Sequence, residues 1–339
     1  MDCDGLLDIM IARLPGLSFP DRILLCEAFS DESDLIRASK TDIESILKRR
    51  LVDFWDINMI RSFAENEEKT ARLRGINRVS WYSPAYPPLL REIYDPPPLL
   101  YFRGKLPNPE NPLVAIVGTR KPSPHAASQA YSIARGLGYG GLSVVSGLAL
   151  GIDAVAHRGN IDGGMPTYVV LGSGADEVYP SSNRLLARRV LETGGGLITE
   201  YPPGTGPRKW NFPARNRIIS GMARGVLIVE APRRSGALIT ARFALDQGRE
   251  LWVASEGIAP RGNIPIGLLF DRRGTEKLAG EGAPVIYSAA GIFKAWNMDV
   301  SKRGVSEGDP TPSGRFIKNT EEAVNSLAQT LGVEIGAKI

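Results

Sequence analysis

The stretch of this 339-residue chain richest in binding chemistry lies between Thr205 and Arg224. Arg208, Lys209, Arg215, Arg217 and Arg224 fall there with no acidic residue among them, and Trp210 and Phe212 are interleaved with the cations. Cations track a phosphate backbone, and flat rings stack on exposed bases at about 1–3 kcal/mol per base with little regard to sequence. Duplex DNA hides those base faces, so the combination is chemistry for a single strand. A solvated basic loop over core aromatics is the competing reading. Arg120, at the end of an apolar run, adds a phosphate contact on the same edge, and Arg233 and Arg234 add positive potential nearby.

A second cluster is glycine-rich. Small residues from Ser146 to Gly151 let backbone N–H groups approach an anion, and a helix start behind them favours negative charge. Tight strand-to-helix packing demands the same glycines. No Gly-x-Gly-x-x-Gly follows the first core strand and no Walker-type Gly-Lys-Ser/Thr occurs, so neither a dinucleotide nor an NTP cofactor is expected. Asp153 and His157 have the spacing of an acid/base pair, but no serine or cysteine nearby has a nucleophile-elbow pattern. A capping aspartate and a packed histidine are the expected roles, and Ser235 is expected to cap a helix. With two cysteines, Cys3 and Cys26, and two histidines, His125 and His157, no metal cluster is expected.

These residues need a scaffold, and the sequence supplies one. Six short apolar runs alternate with helical stretches: Val114–Val117, Ser143–Val145, Tyr168–Leu171, Leu197–Thr199, Val226–Val229 and Leu251–Val253. Continuous hydrophobicity marks strands buried on both faces. The expectation is an α/β fold, a doubly wound Rossmann-like parallel sheet over 113–300, with ligands at the carboxyl ends of its strands. Residues 1–75 read as a small helical domain of helix-hairpin-helix type, serving either nucleic-acid or protein contacts or packing alone. Residues 76–112, with Asp95-Pro96-Pro97-Pro98, read as an extended connector whose aromatics pack on the core. Residues 301–339 read as a polar tail with one helix at 321–330.

Composition narrows the setting. Hydrophobic residues make up 43% and charged residues 23%, ordinary for a globular chain, and the net charge of +4 permits an acidic partner without establishing one. Sparse cysteine fits a reducing compartment. The start, Met1-Asp2-Cys3-Asp4-Gly5, has acids where a signal peptide has bases, and no apolar run reaches the ~18 residues of a membrane span. A cytoplasmic protein is expected.

At its motifs the chain resembles the DprA/Smf family of DNA-processing proteins. The matching stretches are Val114-Ala115-Ile116-Val117-Gly118-Thr119-Arg120, Val145-Ser146-Gly147-Leu148-Ala149 with Gly151-Ile152-Asp153 and Ala156-His157, and Tyr179-Pro180. They continue with Glu200-Tyr201-Pro202, the run Phe212-Pro213-Ala214-Arg215-Asn216-Arg217-Ile218-Ile219-Ser220-Gly221, and Ser235-Gly236-Ala237-Leu238-Ile239-Thr240-Ala241-Arg242. The resemblance implies a homodimeric, non-catalytic single-stranded-DNA-binding mediator, acting in natural transformation or other recombination. Such a mediator helps load RecA onto strands covered by single-strand-binding protein. By motif position Arg120, Lys209, Phe212, Arg215 and Arg217 would contact DNA, Asn216 belongs to the same site, and Gly118, Ser146 and Gly147 would supply close backbone contacts. The resemblance also implies a sterile-alpha-motif-like N-terminal domain. Ala254-Ser255-Glu256-Gly257 departs from the family's Pro-Gly, Glu276 stands where asparagine is common, and no winged helix is legible after residue 300. The enzymatic alternative, a nucleotide-processing Rossmann-fold hydrolase, would need a Pro-Gly-Gly-x-Gly-Thr loop that the sequence lacks.

Overall fold

The computed structural model describes residues 5–51, 55–258 and 270–298. The expected tail helix at 321–330, and most of the segment from Ile258 to Arg273, lie outside the described residues.

The N-terminal region forms helices α1 (Leu6–Arg13), α2 (Phe19–Ala28), α3 (Glu32–Arg37), α4 (Lys40–Leu47) and α5 (Ile57–Leu73). Their starts are written in the sequence. Ser18 with Asp21, and Ser39 with Asp42, make reciprocal capping boxes that satisfy otherwise orphaned N–H groups of α2 and α4. The apolar faces close over one core that includes Leu7, Met10, Leu25, Leu35, Ile43 and Ile60.

The proline-rich segment is more than a connector. It holds β1 (Asn77–Ser80), helix α6 (Pro88–Arg91) and β2 (Leu99–Gly104). β1 pairs antiparallel with β2. Leu99 and Tyr101 of β2 belong to the helical core, and Tyr101 fixes the contact through hydrogen bonds to Arg13 of α1 and Glu67 of α5.

Then the α/β alternation begins: β3 (Leu113–Val117), α7 (Pro124–Tyr139), β4 (Ser143–Ser146), α8 (Ile152–Asp162), β5 (Tyr168–Val170), α9 (Arg184–Glu192) and β6 (Gly196–Thr199). It continues with α10 (Asn211–Met222), β7 (Gly225–Ile228), α11 (Gly236–Asp246), β8 (Glu250–Ala254), α12 (Arg273–Gly280), β9 (Val285–Ile286) and α13 (Ala289–Ala295). All six apolar runs become strands.

The nine-stranded sheet runs β1-β2-β6-β5-β4-β3-β7-β8-β9, with β2 antiparallel to β6 and every pairing from β6 to β9 parallel. Helices α7 and α8 pack together, with α9 and α13 beside them, over one face, while α10 packs with α11 and α6 over the other. The sheet is therefore doubly wound, and its strand order reverses between β3 and β7. A crevice must open at that reversal, because the loops leaving β3 and β7 turn to opposite faces.

Candidate nucleic-acid interface

A cleft of about 620 Å³ opens at this switch point, at the carboxyl ends of the parallel strands. Gly118 ends β3 where no side chain fits: a Cβ there would come within 2.6 Å of Ile152 Cγ1. The chain then turns, with the Thr119 N–H donating to the Glu230 carbonyl at 2.7 Å. Arg120 is left exposed at the rim.

Helix α10 supplies one wall. Asn211 Nδ2 donates to the Gly172 carbonyl at 2.9 Å and anchors the first turn. Phe212, Arg215, Asn216 and Ile219 line the cleft at i, i+3, i+4 and i+7, a single helix face. Phe212 lies 5.4 Å from Tyr179 between ring centroids, so the two rings form an aromatic ledge. Lys209 is exposed at the entrance beside it, and Arg234 reaches the opposite rim from the loop after β7. Arg120, Lys209 and Arg234 make no ion pair with a described residue.

Arg215 forms the floor. It is 5% exposed, with Nη1 donating to the carbonyls of Gly147, at 2.8 Å, and Val170, and Nε to Asn216 Oδ1 at 3.3 Å. Burial draws its pKa down to about 10, still a cation at neutral pH, with Asp153 opposing the fall. A Cβ on Gly147 would lie 2.6 Å from the guanidinium, which is why glycine stands there.

The other sequence-predicted residues fall in different places. Ser146 is buried and donates its hydroxyl proton to the Ile116 carbonyl at 2.6 Å. The N–H groups of Gly147 and Ala149 are not open to an external anion: both donate to Asp153 Oδ2, at 3.2 and 3.4 Å. Asp153 thus fills the expected anion cradle with the chain's own carboxylate. Arg217 lies on the far side of α10, in a bidentate pair with Glu200 at 2.7 Å and near Asp95 at 3.3 Å. Asn216 Nδ2 bridges to the Gly236 carbonyl at 3.2 Å and ties α10 to the start of α11, where Ser235 caps as expected. Tyr179 and Arg234 were legible in sequence only as a motif residue and a loop cation; the cleft brings both to the site.

His157 is fully buried beneath this floor. Thr167 Oγ1 gives its proton to the Val144 carbonyl, so His157 Nδ1 is the donor to Thr167 at 2.8 Å, and Nε2 has no described partner. Burial, reinforced by Arg215, holds the imidazole pKa down to about 3. The unfolded chain protonates this histidine near pH 6.5, whereas the folded chain does not. Its stabilising contribution is therefore complete above pH 6.5 and falls by up to about 1.4 kcal/mol per pH unit toward pH 3. Asp153, its own pKa raised by burial, works in the opposite sense as it protonates. Urea denaturation at pH 7.5, 6 and 5 is expected to show a flatter stability profile for His157→Gln than for the wild type. Parallel profiles would remove His157 from the acid response.

Fold and cleft together define a doubly wound, Rossmann-like protein whose switch point carries cations and aromatic rings in place of a dinucleotide fingerprint. Residues 77–297 match the family model of DNA recombination-mediator protein A, and the chain belongs to that family, one of recombination mediators and not of enzymes. It is 37% identical to the DNA processing protein DprA of Bacillus subtilis, over 70% of this chain and 76% of that protein. It is 46% identical to protein Smf of Synechocystis over 50% of this chain, a match spanning only 43% of the Synechocystis protein. Among solved structures, DprA of Streptococcus pneumoniae superposes with a TM-score of 0.67 at 32% identity, covering 86% of this chain and 97% of that one. A Helicobacter pylori DNA processing protein A, solved for its single-stranded DNA binding mode, superposes with a TM-score of 0.54 at 26% identity, covering 66% and 95%. Among the described residues no helix is long and apolar enough to cross a membrane.

Proposed function

We propose that this chain binds single-stranded DNA in the switch-point cleft and acts as a recombination mediator without turnover. In this reading it works in the cytoplasm as a homodimer, protects incoming or exposed strands and helps load RecA onto DNA held by single-strand-binding protein, in natural transformation or other recombination. The observation that carries the reading is the cleft rim, where Arg120, Lys209 and Arg234 surround the Tyr179–Phe212 ledge with no described acidic partner. The rim cations hold phosphates and Phe212 stacks a base, with Gly118 allowing close approach. Ser146, Gly147, Arg215, Asn216 and Arg217 act from behind, shaping the floor and walls. The single-stranded DNA binding described for the H. pylori relative supports the assignment.

The test is fluorescence anisotropy with labelled oligo-dT and a duplex of equal length across a salt series. Three rim cations predict a slope of log affinity on log salt of about −2 for the single strand. Phe212→Ala is expected to weaken oligo-dT binding by about 5- to 150-fold, the worth of one stacked base. Equal, weak binding of both DNAs that ignores Phe212→Ala would sink the proposal.

A further inference from the structure

We propose that the single-strand track leaves the cleft across Tyr179 and continues over the first two turns of α9, where Arg184 and Arg188 hold two further phosphates. This extension rests on the cleft reading above. Tyr179 is both the outer half of the ring ledge and the lead-in to α9, through a short turn at Ser181–Asn183. Asn183 Nδ2 donates to the carbonyls of Leu148, at 2.9 Å, and Ala149, at 3.4 Å. Since Ala149 lines the cleft, that contact sets the start of α9 against the cleft wall.

The surface of α9 has the composition a strand would need. Arg184 and Arg188 are four residues apart, which places them on one helix face about 6 Å apart along the axis. Arg184 is exposed and makes no ion pair with a described residue. Arg188 is 76% exposed on its side chain and, among the described residues, pairs only with Glu192, itself 60% exposed. Such a pair contributes little, so a phosphate can displace the carboxylate. Between the arginines Leu185 stands 80% exposed while Leu186, Ala187 and Val190 fill the core. Ser181 and Ser182 are exposed at the approach. The sequence from Tyr179 to Arg189 carries no acidic residue, and the carboxylates that reach this helix are Glu192, on Arg188, and Asp162, on Arg189. A positive strip with an apolar side chain, continuous with an aromatic ledge, complements a polyanion that also presents base faces.

The test compares dT6, short enough for the cleft alone, with dT20, by anisotropy across salt, for the wild type and for Arg184→Ala/Arg188→Ala. Both side chains are exposed, so the melting midpoint should not move. The double variant is expected to weaken dT20 binding by about tenfold at low salt and to flatten its salt slope by about 1.4, two phosphates' worth. Binding of dT6 should be unaltered. Unchanged dT20 affinity and slope would overturn the extension, leaving the strip for an acidic protein partner. Equal weakening of dT6 would overturn it too, since the arginines would then act only through the general field of the cleft. A wild type that binds neither oligonucleotide would bring down the cleft reading itself, and the extension with it.

Discussion

Replacing Arg215 by methionine is expected to lower the unfolding free energy by about 3–5 kcal/mol, the cost of breaking up a buried charge cluster from one side. The guanidinium is all but inaccessible, and it satisfies the carbonyls of Gly147 and Val170. It also offsets the buried Asp153 carboxylate, whose pKa burial has already raised. Methionine fills much of the volume but leaves two carbonyls unpaired and one carboxylate with no cation beneath the cleft. Urea denaturation measures the loss. Adding Asp153→Asn should restore part of it, because the second substitution removes the stranded charge while its amide oxygen still accepts from the loop; the coupling is read from the double-mutant cycle. Lys209→Ala should give the reverse signature, with stability intact and the single-strand salt slope reduced by about 0.7. If Arg215→Met instead kept its stability and lost only DNA affinity, the residue would be a direct phosphate ligand, and the assignment of Arg215 to the cleft floor would be wrong.

Buried Arg215 and exposed Lys209 differ in a way that the sequence alone does not display. Lys209, Phe212, Arg215 and Arg217 sit in one basic-aromatic run and look equivalent along the chain. Once α10 winds, Arg215 and Arg217 are about 200° apart and face opposite ways, one into the cleft floor and the other to Glu200. Periodicity would have sorted Phe212, Arg215, Asn216 and Ile219 onto one face, but not which face meets the cleft. The six core strands were legible because burial on both faces leaves an unbroken apolar run. β1 and β2 were not, since prolines around Pro88 and Pro96 read as a connector and antiparallel pairing to a distant strand leaves no local signal. The loop from Ser146 to Gly151 has the small residues of an anion cradle. What the glycines could not disclose is that Asp153, in the first turn of the following helix, folds back to take those N–H groups.

Removing Arg272 is expected to cost about as much as removing Arg215, roughly 3–5 kcal/mol, and to reach DNA binding by a different route. Glu230, fully buried at the end of β7, accepts from Arg272 Nε at 2.8 Å through one carboxylate oxygen and from the Ser123 N–H at 2.7 Å through the other. Its backbone carbonyl takes the Thr119 N–H, Arg272 Nη2 donates to Ser123 Oγ at 3.2 Å, and Ser123 caps α7. One residue therefore holds both ends of the 119–123 loop that displays Arg120. Arg272→Met strands a buried carboxylate, and stability should fall by that full amount. Glu230→Gln/Arg272→Met should recover most of it, because glutamine still accepts from Ser123 while no charge is left unpaired. Single-strand affinity should fall in Arg272→Met and return in the double variant, following the loop rather than the number of cations. A double variant as unstable as the single would show that the arginine acts by packing alone. Recovery would give Arg272 a defined task, since its contacts with Glu230 and Ser123 hold the base of the loop that displays Arg120.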